Sequence, residues 1–285
     1  MKVTNDHNLP SPVVRALSRN DYDSGNTHLS VTQLIDSPRV QALRRKHWDE
    51  ITEDVSDKLW SVLGTAVHRV FEENVEEDVI SEERLFLDVN DWTVSGAIDL
   101  QDKEGPVDYK CTSVWSVIFE KKEWALQLNC YAWLMRHAKA RASTKLKIVA
   151  VMRDWNRREA QRNPDYPQAP IQIVDVPKWT DEEQDQYVAE RVKLHQDAQI
   201  AEAMGERLPL CTDEERWRKK SSYAVRKPTN KKATRVFDEL SLAEKYVEDN
   251  SEIKYVIDER VGEYTRCKQN WCRVAEFCDQ YEETE

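Results

Sequence analysis

The chain has 285 residues, of which 33% are charged and 40% hydrophobic, and its formal net charge is -11. This size and composition predict one large globular domain, or a domain with a small appendage. No stretch approaches the ~20 apolar residues of a membrane span, and the first residues contain no apolar signal core. We therefore expect a cytoplasmic protein with no membrane partner, whose acidic charge argues against non-specific coating of nucleic acid.

The predicted elements alternate between helices and strands. Residues 1–28 are polar and are interpreted as a loose N-terminal arm. The core is expected over 29–205, and its predicted elements are helices over 29–48, 58–77, 123–139 and 181–205, and strands over 84–89, 92–100, 106–113, 145–154 and 171–176. The helix over 58–77 carries Leu63, Val67, Val70 and Phe71 on one face. This order predicts an α/β core, followed by a charged, aromatic and cysteine-rich subdomain over 206–285.

The stretch "VSGAIDLQDKEGPVDYK" places two acidic residues at the ends of two short strands. A turn of about five residues makes the strands neighbours in a hairpin, which can bring Asp99 and Asp108 together. Two close carboxylates repel each other unless a cation neutralises them, and Mg²⁺ prefers oxygen ligands. Lys110 lies two residues after Asp108 and so shares its face of the strand. A surface hairpin with solvated charges is the alternative at this point.

Polar residues also recur at helical spacing on both sides of the hairpin. Gly64, His68 and Glu72 are four residues apart, which puts them on one helix face where another group can approach closely. Gln127 and Tyr131 share a face of the later helix. Each pattern is weak by itself, because a lone histidine is more often a hydrogen-bonded core residue than a ligand.

Taken in order, "GTAVHRVFE", "GAID", "DYK" and "QLNCY" resemble the motifs of the RecB-like branch of the PD-(D/E)xK nuclease superfamily. The resemblance covers residues 64–131. It implies a restriction-endonuclease-like mixed sheet flanked by helices, with Mg²⁺ or Mn²⁺ at the hairpin. The metal ligands implied by the match are His68, Asp99, Asp108 and Tyr109.

The same resemblance implies roles for the remaining motif residues. Lys110 would position the attacking water, and Gln127 and Tyr131 would hold the DNA backbone near the scissile phosphate. Glu72 matches the pattern without an assigned role. These roles suit phosphodiester hydrolysis, which needs an activated water and a shield for the charge that develops on phosphate.

Four cysteines lie in the C-terminal subdomain, at Cys211, Cys267, Cys272 and Cys278. Three close cysteines and a distant one suit a tetrahedral thiolate site. Several RecB-like nucleases carry a 4Fe–4S cluster on one cysteine before the histidine motif and three at the C-terminus. Here Ser37 occupies the early position, and the first C-terminal gap is longer than in the family. We expect Cys211 to replace the early ligand of a 4Fe–4S cluster, with zinc or unligated packing cysteines as alternatives.

Two basic stretches are candidate DNA contacts. Residues 216–235 contain nine Lys or Arg, with Trp217 and Tyr223 among them, and the second stretch is the polar loop over 153–162. Basic residues track phosphates and aromatic rings stack on bases, although a solvated basic surface has the same composition. Both stretches look similar to those of phage-encoded RecB-like nucleases.

The function expected from these features is a metal-dependent DNA exonuclease that acts at DNA ends in recombination, repair or phage DNA processing. Two alternatives stay open. One is a non-catalytic DNA-binding scaffold. The other is an RNA-directed enzyme or a nuclease subunit of a larger helicase or CRISPR-adaptation complex, whose motor would be another chain because no phosphate-binding loop of a helicase occurs here. A homo-oligomer or a recombination partner is compatible with either activity.

Overall fold

The computed structural model describes residues 1–19, 25–76, 79–269 and 271–283. The chain divides into two compact units. The first unit comprises Met1–Ala42 and Trp48–Pro209, and the second comprises Leu43–His47 and Leu210–Glu285. The C-terminal unit therefore begins at Leu210 rather than at residue 206 and also includes a short segment from early in the chain.

Helices and strands alternate along most of the first unit. The strands of the described chain are β1 (Lys2–Thr4), β2 (Leu29–Ser30), β3 (Thr52–Asp54), β4 (Ile80–Val89), β5 (Trp92–Asp102), β6 (Gly105–Thr112), β7 (Leu146–Met152), β8 (Ile171–Val176), β9 (Ser222–Arg226), β10 (Arg235–Phe237) and β11 (Val256–Arg260). The α-helices are α1 (Ser11–Ser18), α2 (Val31–Leu34), α3 (Pro38–Lys46), α4 (Leu59–Glu72), α5 (Val114–Ile118), α6 (Lys122–Lys139), α7 (Arg157–Arg162), α8 (Asp181–Met204), α9 (Leu240–Asp249), α10 (Thr265–Lys268) and α11 (Asp279–Glu282). Single 3-10 turns cover Val55–Lys58 and Ala275–Phe277.

The first unit is built on a six-stranded mixed sheet. Its order is β2-β5-β6-β7-β8, and β4 pairs with β5 as well. Strands β6 and β7 are parallel, as are β2 and β5, whereas the β4–β5, β5–β6 and β7–β8 pairs are antiparallel. The sheet and its flanking helices confirm the predicted α/β class.

One edge of β5 is shared by two other strands. Strand β4 pairs along one edge of β5, so β2 and β6 both pair with the other edge. Strand β2 pairs there with Val94 and Ser95, and β6 pairs with β5 from Leu100 onward. Residues 96–99 between them have no ladder partner on this edge among the described residues. The strands separate at this gap, and the polar side chains of the site gather around it.

Local sequence explains where several elements begin and end. Ser30 caps α2 in a capping box with Gln33. Asn90 and Asp91 form the turn between β4 and β5, and both have positive φ angles, which two-residue hairpin turns need. Gly205 ends α8 in the left-handed conformation, which glycine adopts without steric cost.

Three predictions for the first unit were wrong. Residues 1–19 are not a loose arm, because β1 pairs in parallel with β3, about fifty residues away; residues 20–24 of that arm lie outside the described chain. The helix expected over 29–48 is split into α2 and α3. Pro38 causes the break, because a proline disfavours helical geometry at the residue before it. The loop expected after β7 contains α7, which Asn156 caps through its side chain.

The core of the first unit lies between the sheet and α6. Buried side chains of α6, including Leu128, Tyr131 and Leu134, pack against Val94 and Ile98 of β5. In contrast, α4 contains no buried residue, although its apolar spacing predicts a packed face. Leu63 and Val70 are exposed, and Val67 and Phe71 are only partly covered.

The second unit contains a small antiparallel sheet with the order β10-β9-β11. Helix α9 packs on this sheet and buries Ala243. The remaining segment holds α10, a 3-10 turn and α11, which carry or flank three of the cysteines. In the described parts of both units, no helix combines the length and apolar character needed to cross a membrane.

Candidate metal centre

Asp99 lies at the gap in the edge of β5. Continuing the β5–β6 register from Leu100↔Val107 would set Asp99 opposite Asp108, but the ladder stops one residue earlier. Instead the Asp99 carboxylate accepts a hydrogen bond from the backbone N–H of Tyr109 at 2.7 Å. Burial and the nearby Asp108 raise the pKa of Asp99 to about 7, since both disfavour its charged form.

His68 reaches the site from the last turn of α4. Its Nε2 lies 2.8 Å from the carbonyl oxygen of Tyr109, so this ring nitrogen donates when it is protonated. The Tyr109 ring packs edge-on against His68 and against Phe71, one turn away on the helix. These contacts fix the imidazole relative to β6 even though α4 is otherwise shallowly packed.

The second ring nitrogen of His68 lies near two carboxylates. Nδ1 lies 3.5 Å from Asp99 Oδ2 and 3.9 Å from Glu82 Oε1. Burial lowers the pKa of His68, but Glu82, Asp99 and Asp108 outweigh burial and raise it overall. One ligand atom from each of His68, Glu82 and Asp99 lies within 4.8 Å of the others. Such a convergence of acceptors suits a cation, and the carboxylates favour Mg²⁺ or Mn²⁺.

Glu82 was missed by the sequence reasoning. It lies in β4 between Ser81 and Glu83, which pair with Leu100 and Ile98, so the register sets it opposite Asp99. Its φ angle is 49°, a left-handed conformation that is uncommon for glutamate. No motif in the sequence marks Glu82. Its place opposite Asp99 follows from the position of the Asn90-Asp91 turn, which determines which β4 residue faces Asp99.

Asp108 is the most deeply buried acidic residue of the site, at 1% exposure. Gln127 donates one amide N–H to Asp108 Oδ1 at 3.0 Å and another to the hydroxyl of Tyr131 at 2.8 Å. Lys110 Nζ lies 2.6 Å from Asp108 Oδ2, which confirms that the two side chains share a face. Their alignment is that of an ion pair, because Oδ2 accepts no well-directed hydrogen bond among the described residues.

Most of the predicted site residues are brought together by the fold. His68 and Asp99 converge on one position with Glu82, and the Tyr109 backbone contacts both of them. Asp108 lies close enough to perturb the pKa of Asp99. Gln127 and Tyr131 were expected to contact DNA, but both are buried and form the support of Asp108 instead. Glu72 is the exposed last residue of α4 and forms no ion pair with a described residue.

Gly64 was expected to let another group approach α4. A Cβ atom at this position would meet no protein atom within 4 Å. No described part of the chain therefore requires glycine here, and the open surface above Gly64 is available to a ligand.

The four C-terminal cysteines all belong to the second unit. Cys272 and Cys278 are buried, Cys211 and Cys267 are half-buried, and none is in a disulfide. Burial raises the pKa of the Cys272 thiol, and Cys267 and Cys278 are near enough to raise it further. The Gln280 side chain bonds to both backbone groups of Cys211, which ties this residue to the segment after Cys278.

The basic stretch over 216–235 is partly used for internal contacts. Arg216 is buried and covers the Tyr264 ring, Arg218 pairs with Asp213, and Arg226 pairs with Asp258. The lysines at 219, 220, 227, 231 and 232 are exposed. Fewer positive side chains of this stretch are therefore available to bind DNA than its composition suggests.

Comparisons with known proteins add little to this geometry. No family model matches the chain, and no curated protein matches it. The crystal structure of SSO0001 is 16% identical, covers 65% of this chain and 80% of that chain, and superposes with a TM-score of 0.42. A likeness of this extent supports no conclusion about function, which has to be argued from the side chains.

Proposed function

We propose that the protein is a divalent-metal-dependent nuclease of the RecB-like PD-(D/E)xK type that hydrolyses phosphodiester bonds in DNA. The observation that carries the proposal is the convergence of His68, Glu82 and Asp99 beside the ion pair of buried Asp108 with half-buried Lys110. A buried acid whose pKa is raised by burial and by a neighbouring carboxylate, as at Asp99, is typical of functional sites.

A cation fits this group of residues, with Asp99, His68 and Glu82 as its principal ligands and Asp108 beside them. When bound, a divalent cation lowers the pKa of an attacking water and neutralises charge on phosphate oxygens. Burial and Asp108 raise the pKa of Asp99, and the neighbouring carboxylates raise the pKa of His68, so a cation would compete with protons for these groups.

The protein side chains supply orientation. Lys110 can hold a water next to Asp108 and stabilise the negative charge that develops as the phosphorus–oxygen bond breaks. Gln127 restricts Asp108 through Oδ1 and leaves Oδ2 directed at Lys110. Tyr131 fixes Gln127 in turn, so we assign Gln127 and Tyr131 as positioning residues.

Digestion of end-labelled single- and double-stranded DNA with Mg²⁺, Mn²⁺ or a chelator tests the proposal. We expect cleavage with either metal, none with chelator, and a loss of at least about 100-fold in Asp108→Asn and Lys110→Ala. Asp175→Asn is a matched control, since this exposed aspartate lies on β8 of the same sheet. Wild-type cleavage by Asp108→Asn would refute the site. DNA binding by the wild-type protein without any cleavage would favour the scaffold alternative.

Within this proposal, action at DNA ends is favoured by the motif resemblance over internal cleavage. Circular and linear forms of the same DNA distinguish the two activities. An exonuclease degrades only the linear form, whereas cleavage of the circle would identify an endonuclease.

We also propose that Cys211, Cys267, Cys272 and Cys278 bind a 4Fe–4S cluster, with zinc as the alternative. Burial of Cys272 and its proximity to Cys267 and Cys278 support a shared ligand for these three thiols, because thiolates that repel each other are stabilised by a metal. Anaerobically purified protein should absorb broadly in the visible range and contain iron and sulfide. A colourless protein with stoichiometric zinc would replace the cluster by zinc, and a metal-free folded protein would leave the cysteines as packing residues.

A further inference from the structure

Two aromatic side chains, Trp115 of α5 and Phe119 directly after it, face solvent although the helix has a buried side. Val114 is buried and Val117 packs against the core, whereas Trp115 is 58% exposed and Phe119 is 74% exposed. Trp115 and Phe119 are one turn apart, and their rings stack at 5.7 Å with an interplanar angle of 16°. Large rings left in water at adjacent positions mark a binding surface.

A third exposed ring lies on α4, the helix that carries His68. Trp60 is 53% exposed, and the guanidinium of Arg153 lies 4.3 Å from the centre of its ring. Such a cation–π contact keeps the positive charge next to an aromatic face, the combination that a phosphate and its base require.

The backbone connects these two surfaces at the carboxyl end of β6. The N–H of Arg153 donates to the carbonyl of Thr112, and the Asp154 side chain accepts the N–H of Val114. Thr112 is two residues beyond Lys110 on β6, and Trp115 follows at the start of α5. The rings therefore lie just past the proposed hydrolytic residues along the strand.

The charge around the rings favours an anionic partner. Arg153, which lies over Trp60, is exposed, as are Arg157, Arg158 and Arg162 of α7, and no carboxylate in the described chain pairs with any of them. This group contrasts with the net charge of -11 for the whole chain. Exposed rings alone would suit a protein partner as well, but rings beside unpaired arginines suit a polyanion with flat apolar groups.

We propose that Trp115, Phe119 and Trp60 form a stacking surface for the unpaired bases of single-stranded DNA, with Arg153 on its phosphates. In a duplex the bases are paired and stacked on each other, so their faces are inaccessible to these rings. The surface rests on the proposed nuclease function for its biological role, and it specifies the substrate as a single strand or a single-stranded end.

Binding without hydrolysis tests the surface. Fluorescence anisotropy in chelator compares a thymidine oligonucleotide, the same length of strand with abasic sites, and a blunt duplex. The wild-type protein should prefer the thymidine strand to both others. Trp115→Ala/Phe119→Ala should weaken single-strand binding by about 5- to 100-fold and remove the preference over the abasic strand. Arg153→Ala should instead reduce the salt dependence by about one phosphate contact.

Ile173→Ala is the matched control, because Ile173 is an exposed apolar residue of the same sheet, on β8. Unchanged single-strand affinity in the double variant, or equal affinity of the wild type for duplex and single strand, would overturn the stacking surface. Neither result would affect the nuclease proposal. Conversely, single-strand binding that depends on the rings in a protein without any cleavage activity would leave the surface in place and remove the nuclease.

Discussion

Glycine at position 96 is expected to be required for packing behind the site. A Cβ atom there would lie 2.8 Å from Leu134 Cδ1 and 2.8 Å from Tyr131 Cε1. Leu134 can adopt another rotamer, but the Tyr131 ring is held at its hydroxyl by Gln127. Gly96→Ala should therefore cost about 1–3 kcal/mol through overpacking. For a domain of this size the melting temperature should fall by roughly 3–10 °C.

Gly64→Ala is the matched control for this measurement. Nothing lies within 4 Å of a Cβ atom at position 64, and the residue is inside α4. Alanine is favoured over glycine in a helix by about 1 kcal/mol, so this variant should melt at the wild-type temperature or slightly above it. Differential scanning calorimetry of both variants measures the contrast. Equal melting temperatures for Gly96→Ala and the wild type would show that the core accommodates the methyl group and would refute the reasoning.

Two further predictions concern acidic residues. Hydrogen bonds from Ser56 and from the backbone N–H of Asp6 hold the pKa of Asp54 well below its usual range. The ionised Asp54 therefore stabilises the folded protein fully above its unfolded-state pKa of about 3.9, and this stabilisation is lost as the pH falls through its folded-state pKa. Asp54→Asn should thus melt below the wild type at neutral pH, with a gap that closes in strong acid; a gap independent of pH would contradict this. Glu82→Gln should weaken Mn²⁺ binding by about 10-fold or more in a paramagnetic titration, while Glu72→Gln should not change it. An equal effect of both substitutions would exclude Glu82 as a ligand.

Periodic patterns predicted α6 and β5, which hold part of the site, because each combines regular apolar spacing with clear ends. The pairing of β1 with β3 was missed because it joins distant segments that carry little pattern of their own. Helix α7 was missed because its residues are almost all polar, and its cap at Asn156 is the clearer signal.

The candidate site was predictable where side chains are close in sequence or follow from strand alternation. Asp108 and Lys110 were placed on one face correctly for this reason. The burial of Gln127 and Tyr131 depends on how deeply α6 packs, which spacing along a helix does not reveal. Glu82 depends on the register of β4 against β5, and only the position of the turn contains that information.

The Asn90-Asp91 turn consequently sets the register of β4 against β5, and so the position of Glu82 opposite Asp99, about eight residues away along each strand. A single residue inserted at this tip would slide β4 by one position, so that Ser81 or Glu83 would take the place opposite Asp99. The apolar side chains of the hairpin would exchange faces at the same time. The length of an exposed loop tip is therefore constrained as tightly as the acidic residues themselves, although nothing chemical happens there.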